Sequence, residues 1–98
     1  LFEAFSTKLC LIGHTHVPSI CGENLRTFLF KKDMRFLINV GSVGQPRDGN
    51  PQLSFGIFDS EAWSYENIRS EYDVEGAAQA ILNCKLPSVL ATRLSQGQ

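Results

Sequence analysis

KLCLIGHTHVPSI, residues 8–20, decides how the rest of this chain is read. Residues 8–12, KLCLI, form a short apolar run closed by Gly13, the pattern of a strand covered on both faces inside a layered sheet. Gly13 lets the backbone turn where a side chain would obstruct it. His14 and His16 follow, the only two histidines in 98 residues. In an extended segment they face one side and Thr15 the other. Two imidazoles on one side are either hydrogen-bonded to local backbone or part of a metal site. If they bind metal the site is partial, because even a tetrahedral zinc needs about four donors. Pro18 follows closely, so the stretch between Gly13 and Pro18 is loop or irregular extended chain.

Further along, LRTFLF (25–30) and MRFLIN (34–39) flank Lys31, Lys32 and Asp33, which suits a hairpin. Residues 41–51, GSVGQPRDGNP, form a long loop of the kind that often carries function. In that loop Gly41, Gly44 and Gly49 could turn N–H groups toward an anion, with Arg47 adding a forked cation. The competing reading is a packed loop in which Asn39 and Ser42 satisfy backbone groups and Arg47 pairs with Asp48. QLSFGIFD (52–59) alternates, with Leu53, Phe55 and Ile57 on one face and Ser54, Gly56 and Phe58 on the other. WSYENIRSEY (63–72) reads as its neighbour, with a slip in alternation that suits a bulge. Phe28, Phe30, Phe36, Phe55 and Phe58 are expected in the sheet core, and Trp63 and Tyr65 in cross-strand packing.

The period then changes. Asp73 is the expected cap of a helix with Val74, Ala77, Ala78, Ile81 and Leu82 on one face. Pro87 suits the first position of a second helix carrying Leu90 and Leu94, and Gly97 would end it. Strands followed by helices define an α/β (α+β) class with a mixed sheet and C-terminal helices.

Composition narrows the function. A hydrophobic fraction of 43% with 19% charged residues is that of a folded domain. A net charge of −1 argues against a nucleic-acid or anionic-membrane surface. No apolar run reaches the roughly 20 residues of a membrane span, and LFEAFSTK lacks the signal-peptide pattern. Cys10, Cys21 and Cys84 are odd in number and form no CxxC pair, as expected for reduced thiols in the cytoplasm. LFEAF resembles the end of a helix, so the chain reads as a segment of something longer.

GHTH with the proline at 18, joined to NVGSVGQPRDGNP at 39–51, resembles the second half of a calcineurin-like metallophosphoesterase of the small bacterial and archaeal phosphodiesterase or phosphatase type. The resemblance covers essentially the whole chain and implies part of a four-layer α/β/β/α sandwich of two mixed sheets flanked by helices. It makes residues 1–98 the C-terminal half of one domain. In that family a G-H-x-H motif gives one histidine to each ion of a dinuclear centre, so His14 and His16 take those roles. Upstream motifs D-x-H, G-D-x-x-D and G-N-H-[DE] supply the other ligands, and none of them occurs here. The implied activity is hydrolysis of phosphomonoesters or phosphodiesters with two divalent ions (manganese, iron, zinc or nickel, manganese favoured) and Arg47 near the substrate. The fragment alone is expected to be inactive. The implied partner is a small phosphorylated substrate such as a nucleotide or phosphodiester, with no membrane and no sequence-specific nucleic-acid binding; a homo-oligomer also fits. The alternative is a non-catalytic scaffold or interaction protein with the same fold.

Overall fold

The computed structural model describes residues 2–24, 30 and 32–98. A single 3-10 turn, Phe2–Ala4, precedes β1 (Leu9–Ile12), β2 (Ser19–Gly22) and β3 (Phe36–Asn39). β3 runs between the other two, parallel to β1 and antiparallel to β2. This mixed sheet is centred on the most apolar strand: Phe36 and Ile38 are both fully buried. Of the expected hairpin, residues 25–29 lie outside the described residues, as do Phe28 and Lys31. Its second arm is β3, whose described partners are β1 and β2. No element was expected over β2. Its sequence SICG has one β-branched residue and no alternation, so pairing with β3 creates the strand rather than local propensity.

β1 departs from expectation. Leu11 is 50% exposed and Ile12 38%, so the strand is not covered on both faces within this chain.

The second sheet is a hairpin of β4 (Leu53–Asp59) and β5 (Ser64–Ser70). Its register runs unbroken from Leu53 opposite Ser70 to Asp59 opposite Ser64, without the expected bulge. The slip in alternation lies in side-chain chemistry, not in pairing. The face turned inward also corrects an expectation: Ser54 is buried, whereas Phe55 is 37% and Ile57 51% exposed. Small side chains explain this. Ser54 Oγ donates to the Val40 carbonyl at 2.9 Å, and a Cβ on Gly56 would lie 2.5 Å from the Tyr65 ring. Phe58 and Phe30 stay half-buried, in an aromatic cluster beside the core. Phe30 meets Phe36 at 5.1 Å between centroids and stacks on Trp63 at 5.3 Å, and Trp63 meets Phe58 edge-on.

α1 (Val74–Asn83) is capped as expected, with Gly76 N–H donating to Asp73 Oδ1 at 2.9 Å. α2 (Ser88–Gln96) packs on α1 and buries Ala91 and Leu94. Pro87 is the N-cap of α2 rather than its first helical residue. Gly97 ends α2 at φ 66°, and its carbonyl accepts from Gly49 N–H at 2.9 Å. The C-terminal helix is thereby tied to the glycine-rich loop. No helix is long and apolar enough to cross a membrane among the described residues.

The radius of gyration is 16.0 Å, against about 13 Å for a closed domain of this length. Among the described residues, four hydrophobic side chains are buried: Phe36, Ile38, Ala91 and Leu94. An α+β arrangement with so small a core leaves much apolar surface in water.

Candidate metal centre

The histidines do not lie on extended chain. His16 N–H donates to the Gly13 carbonyl at 3.3 Å, so Gly13–His16 is a turn, and His16 sits at φ 62°. A side chain in that region is uncommon and is held there by its surroundings. The expectation that an extended segment aims both rings one way is therefore replaced by a turn held from outside.

The glycine-rich loop does the holding. His16 Nδ1 lies 2.8 Å from the Gln45 carbonyl, and Arg47 N–H donates to the His16 carbonyl at 3.1 Å. Residues 45 and 47 thus grip the histidine by ring and by backbone. Pro46 between them is fully buried. Asn39, 4% exposed at the end of β3, joins the two segments. Its Nδ2 donates to Thr15 Oγ1 at 2.8 Å, and its Oδ1 accepts from Gly41 N–H at 2.9 Å. Thr15 Oγ1 also accepts from Val17 N–H at 3.3 Å, so Thr15, though exposed, serves the backbone as well as bonding Asn39. Within the loop, Gln45 N–H donates to Ser42 Oγ at 2.9 Å. Asn39 and Ser42 satisfy backbone groups as expected of a packed loop.

A carbonyl oxygen can only accept, so His16 Nδ1 carries the proton of this hydrogen bond. In the neutral ring, Nε2 is then the unprotonated donor. That is the tautomer in which metal-ligating histidines are held by a partner on the other nitrogen. In donor chemistry His16 therefore fits a divalent ion. His14 is exposed on the same turn. No cluster of three or more His, Cys, Asp or Glu side chains that could hold an ion occurs among the described residues. Two imidazoles are short of a complete coordination sphere.

Arg47 corrects an expectation. It does not pair with Asp48; its Nη2 donates to Gln45 Oε1 at 2.6 Å. Asp48 pairs instead with Arg69 of β5, whose Nη1 and Nη2 reach its two carboxylate oxygens at 2.5 and 3.1 Å. The Arg69 hydrogen bond holds the Asp48 carboxyl below the usual carboxylate range, against the opposing pull of burial. Arg69 Nη2 also donates to the carbonyls of Asn50 and Gln52, at 3.0 and 2.6 Å. Neither Gln45 nor Arg69 was legible as part of the site. Gln45 contributes a main-chain carbonyl, which any residue carries, and Arg69 is 53 positions from His16.

The fold has counterparts of known structure. A metallophosphoesterase from Sphaerobacter thermophilus superposes with a TM-score of 0.92 at 37% identity, covering 99% of this chain and 45% of that one. A hypothetical protein from Pyrococcus horikoshii, at 22% identity and TM-score 0.71, covers 93% of this chain and 32% of its own, and shares the fold. An uncharacterized protein of Methanocaldococcus jannaschii is 38% identical over 92% of this chain and 40% of its own length. No family model matches the sequence. With the histidine turn and the loop that clasps it, these likenesses define the class the chain resembles: over almost its whole length it is similar to part of a metallophosphoesterase and shares that fold. It spans less than half the length of each of these relatives.

Proposed function

We propose that residues 1–98 are the C-terminal half of a metal-dependent phosphoesterase domain, in which His14 and His16 each ligate one of two divalent ions. The observation that carries this reading is the His16 Nδ1–H bond to the Gln45 carbonyl, which presents Nε2 as a ligand. Bound ions of this kind polarise phosphoryl oxygens and lower the pKa of a bound water. The chain's own residues do the rest. The turn sets the imidazoles at the end of a sheet strand, and the loop holds His16 in place ahead of binding. Arg47 is exposed with part of its guanidinium engaged by Gln45, so its remaining N–H groups are available to a phosphoryl oxygen. The substrate class is a small phosphomonoester or phosphodiester, and manganese is the favoured ion.

Exposed apolar side chains flank the turn: Leu11, Ile12, Val17 and Val43. A further part of the domain that covers them would bring carboxylates to the same place, completing both the core and the ligand set. The test uses the full-length protein with a chromogenic phosphodiester and added manganese. Turnover that falls at least 100-fold in both His14→Ala and His16→Ala supports the assignment. Unchanged metal-dependent turnover in either variant removes that histidine from the site. No turnover in a parent protein that binds the ion favours the scaffold.

A further inference from the structure

We propose that Arg69 is the positioning residue of His16: from β5 it anchors the loop whose backbone fixes the orientation and tautomer of the His16 ring. The inference rests on the reading of His16 as a ligand, and its geometric content can be tested apart from that reading.

The chain of contacts is short and has few soft joints. His16 is held at one end by the Gln45 carbonyl and by Arg47 N–H. Gln45 and Arg47 flank Pro46, whose ring restricts φ and whose side chain is fully buried. Asp48 follows directly, and there the loop is anchored to the sheet. Arg69 lies within hydrogen-bond distance of four acceptors on three residues of the loop and its exit: Asp48 Oδ2 at Nη1, and Asp48 Oδ1 with the carbonyls of Asn50 and Gln52 sharing the two hydrogens of Nη2. Its side chain is 18% exposed; the two bonds to carbonyls are partly shielded from water, and those to Asp48 are solvent-exposed. A planar guanidinium can hold a carboxylate by two nitrogens while still donating to carbonyls; a lysine ammonium is a point charge and cannot reproduce that fork. The loop is also fastened by Gly49 N–H to the Gly97 carbonyl and, ahead of residue 45, by Ser54 N–H to the Ser42 carbonyl and Gly41 N–H to Asn39 Oδ1, each a single bond.

His16 has reason to need an anchor. Its backbone is at φ 62°, which a side chain occupies at a cost, and His16 N–H makes a long turn bond of 3.3 Å. Loss of the grip at 45 and 47 therefore lets the turn relax and frees Nδ1, so that the ring samples both tautomers. Partners that orient a ligating histidine typically change metal affinity by 10–100-fold when removed. Arg69 acts one step further out, which places its effect near the lower figure.

The experiment compares full-length parent, Arg69→Lys, Asp48→Asn and His16→Ala. The readouts are ring-nitrogen NMR of both histidines in metal-free protein, well above the imidazole titration range, and manganese affinity by calorimetry. Arg69→Lys is expected to lose the pure Nδ1–H form at His16 while His14 signals stay as in the parent, and to weaken manganese binding about tenfold. Asp48→Asn, which keeps the two carbonyl bonds, is expected to shift His16 in the same direction by less. It also covers the case in which Arg69→Lys does not fold. Unchanged His16 signals in the folded variants overturn the proposal, as does an equal change at both histidines, which would mark general loosening of the fold. If the His16 ring responds as expected but His16→Ala leaves manganese affinity unchanged, the positioning stands and the metal reading falls.

Discussion

Asn39→Ala removes the side chain that sews the histidine turn to the glycine-rich loop, and its cost can be worked from the contacts. Asn39 is 4% exposed, and Gly41, whose N–H it accepts, is buried. Truncation leaves that N–H without its acceptor in a place that water reaches poorly. An orphaned buried donor costs about 1–3 kcal/mol, and the lost bond to Thr15 adds about 1 kcal/mol, for a total of about 2–4 kcal/mol. Thr15→Ala loses its bond to Asn39 from an exposed residue and should cost about 1 kcal/mol. The two substitutions delete one shared contact, so the double variant should cost less than the sum of the singles. Urea unfolding of the full-length protein measures all three, and hydrogen exchange at the Gly41 amide reports the orphaned group directly. A cost below about 0.5 kcal/mol for Asn39→Ala, or full additivity with Thr15→Ala, would refute this account of how the two segments are joined.

Two further outcomes concern stability. Gly97→Ala should destabilise the protein by more than about 1 kcal/mol in the same urea assay, because φ is 66° and an added Cβ would lie 2.6 Å from Asn50 N. For Asp48, the folded-state pKa lies below the ordinary 3.8, so its contribution is fully present above pH 3.8 and is lost as pH falls through the lower folded value. Unfolding midpoints followed downward from pH 6 should therefore decline less steeply in Asp48→Asn than in the parent.

The expectations that held rest on local chemistry. Asp73 caps α1, Gly97 ends α2, and Asn39 and Ser42 satisfy loop backbone, each through contacts within four residues in sequence. The failures share a cause. Alternation in 52–59 shows two faces but not which is inner, and Ser54 and Gly56 turned inward because a neighbouring loop and the Tyr65 ring needed the space. Similarly, Asp48 has Arg47 beside it in the chain, yet the closer partner in space is Arg69 across the sheet.

A periodic pattern, a cap or a motif such as GHTH is written in neighbouring residues, which is why helices, several strands and the likeness to metallophosphoesterases could be read from the string of letters. The clasp on His16 is of another kind. It needs a carbonyl from residue 45 beside a ring at residue 16, and a guanidinium from residue 69 behind that loop. Folding alone brings those groups within hydrogen-bond distance, because packing of the two sheets, not spacing along the chain, sets which backbone groups meet which side chains.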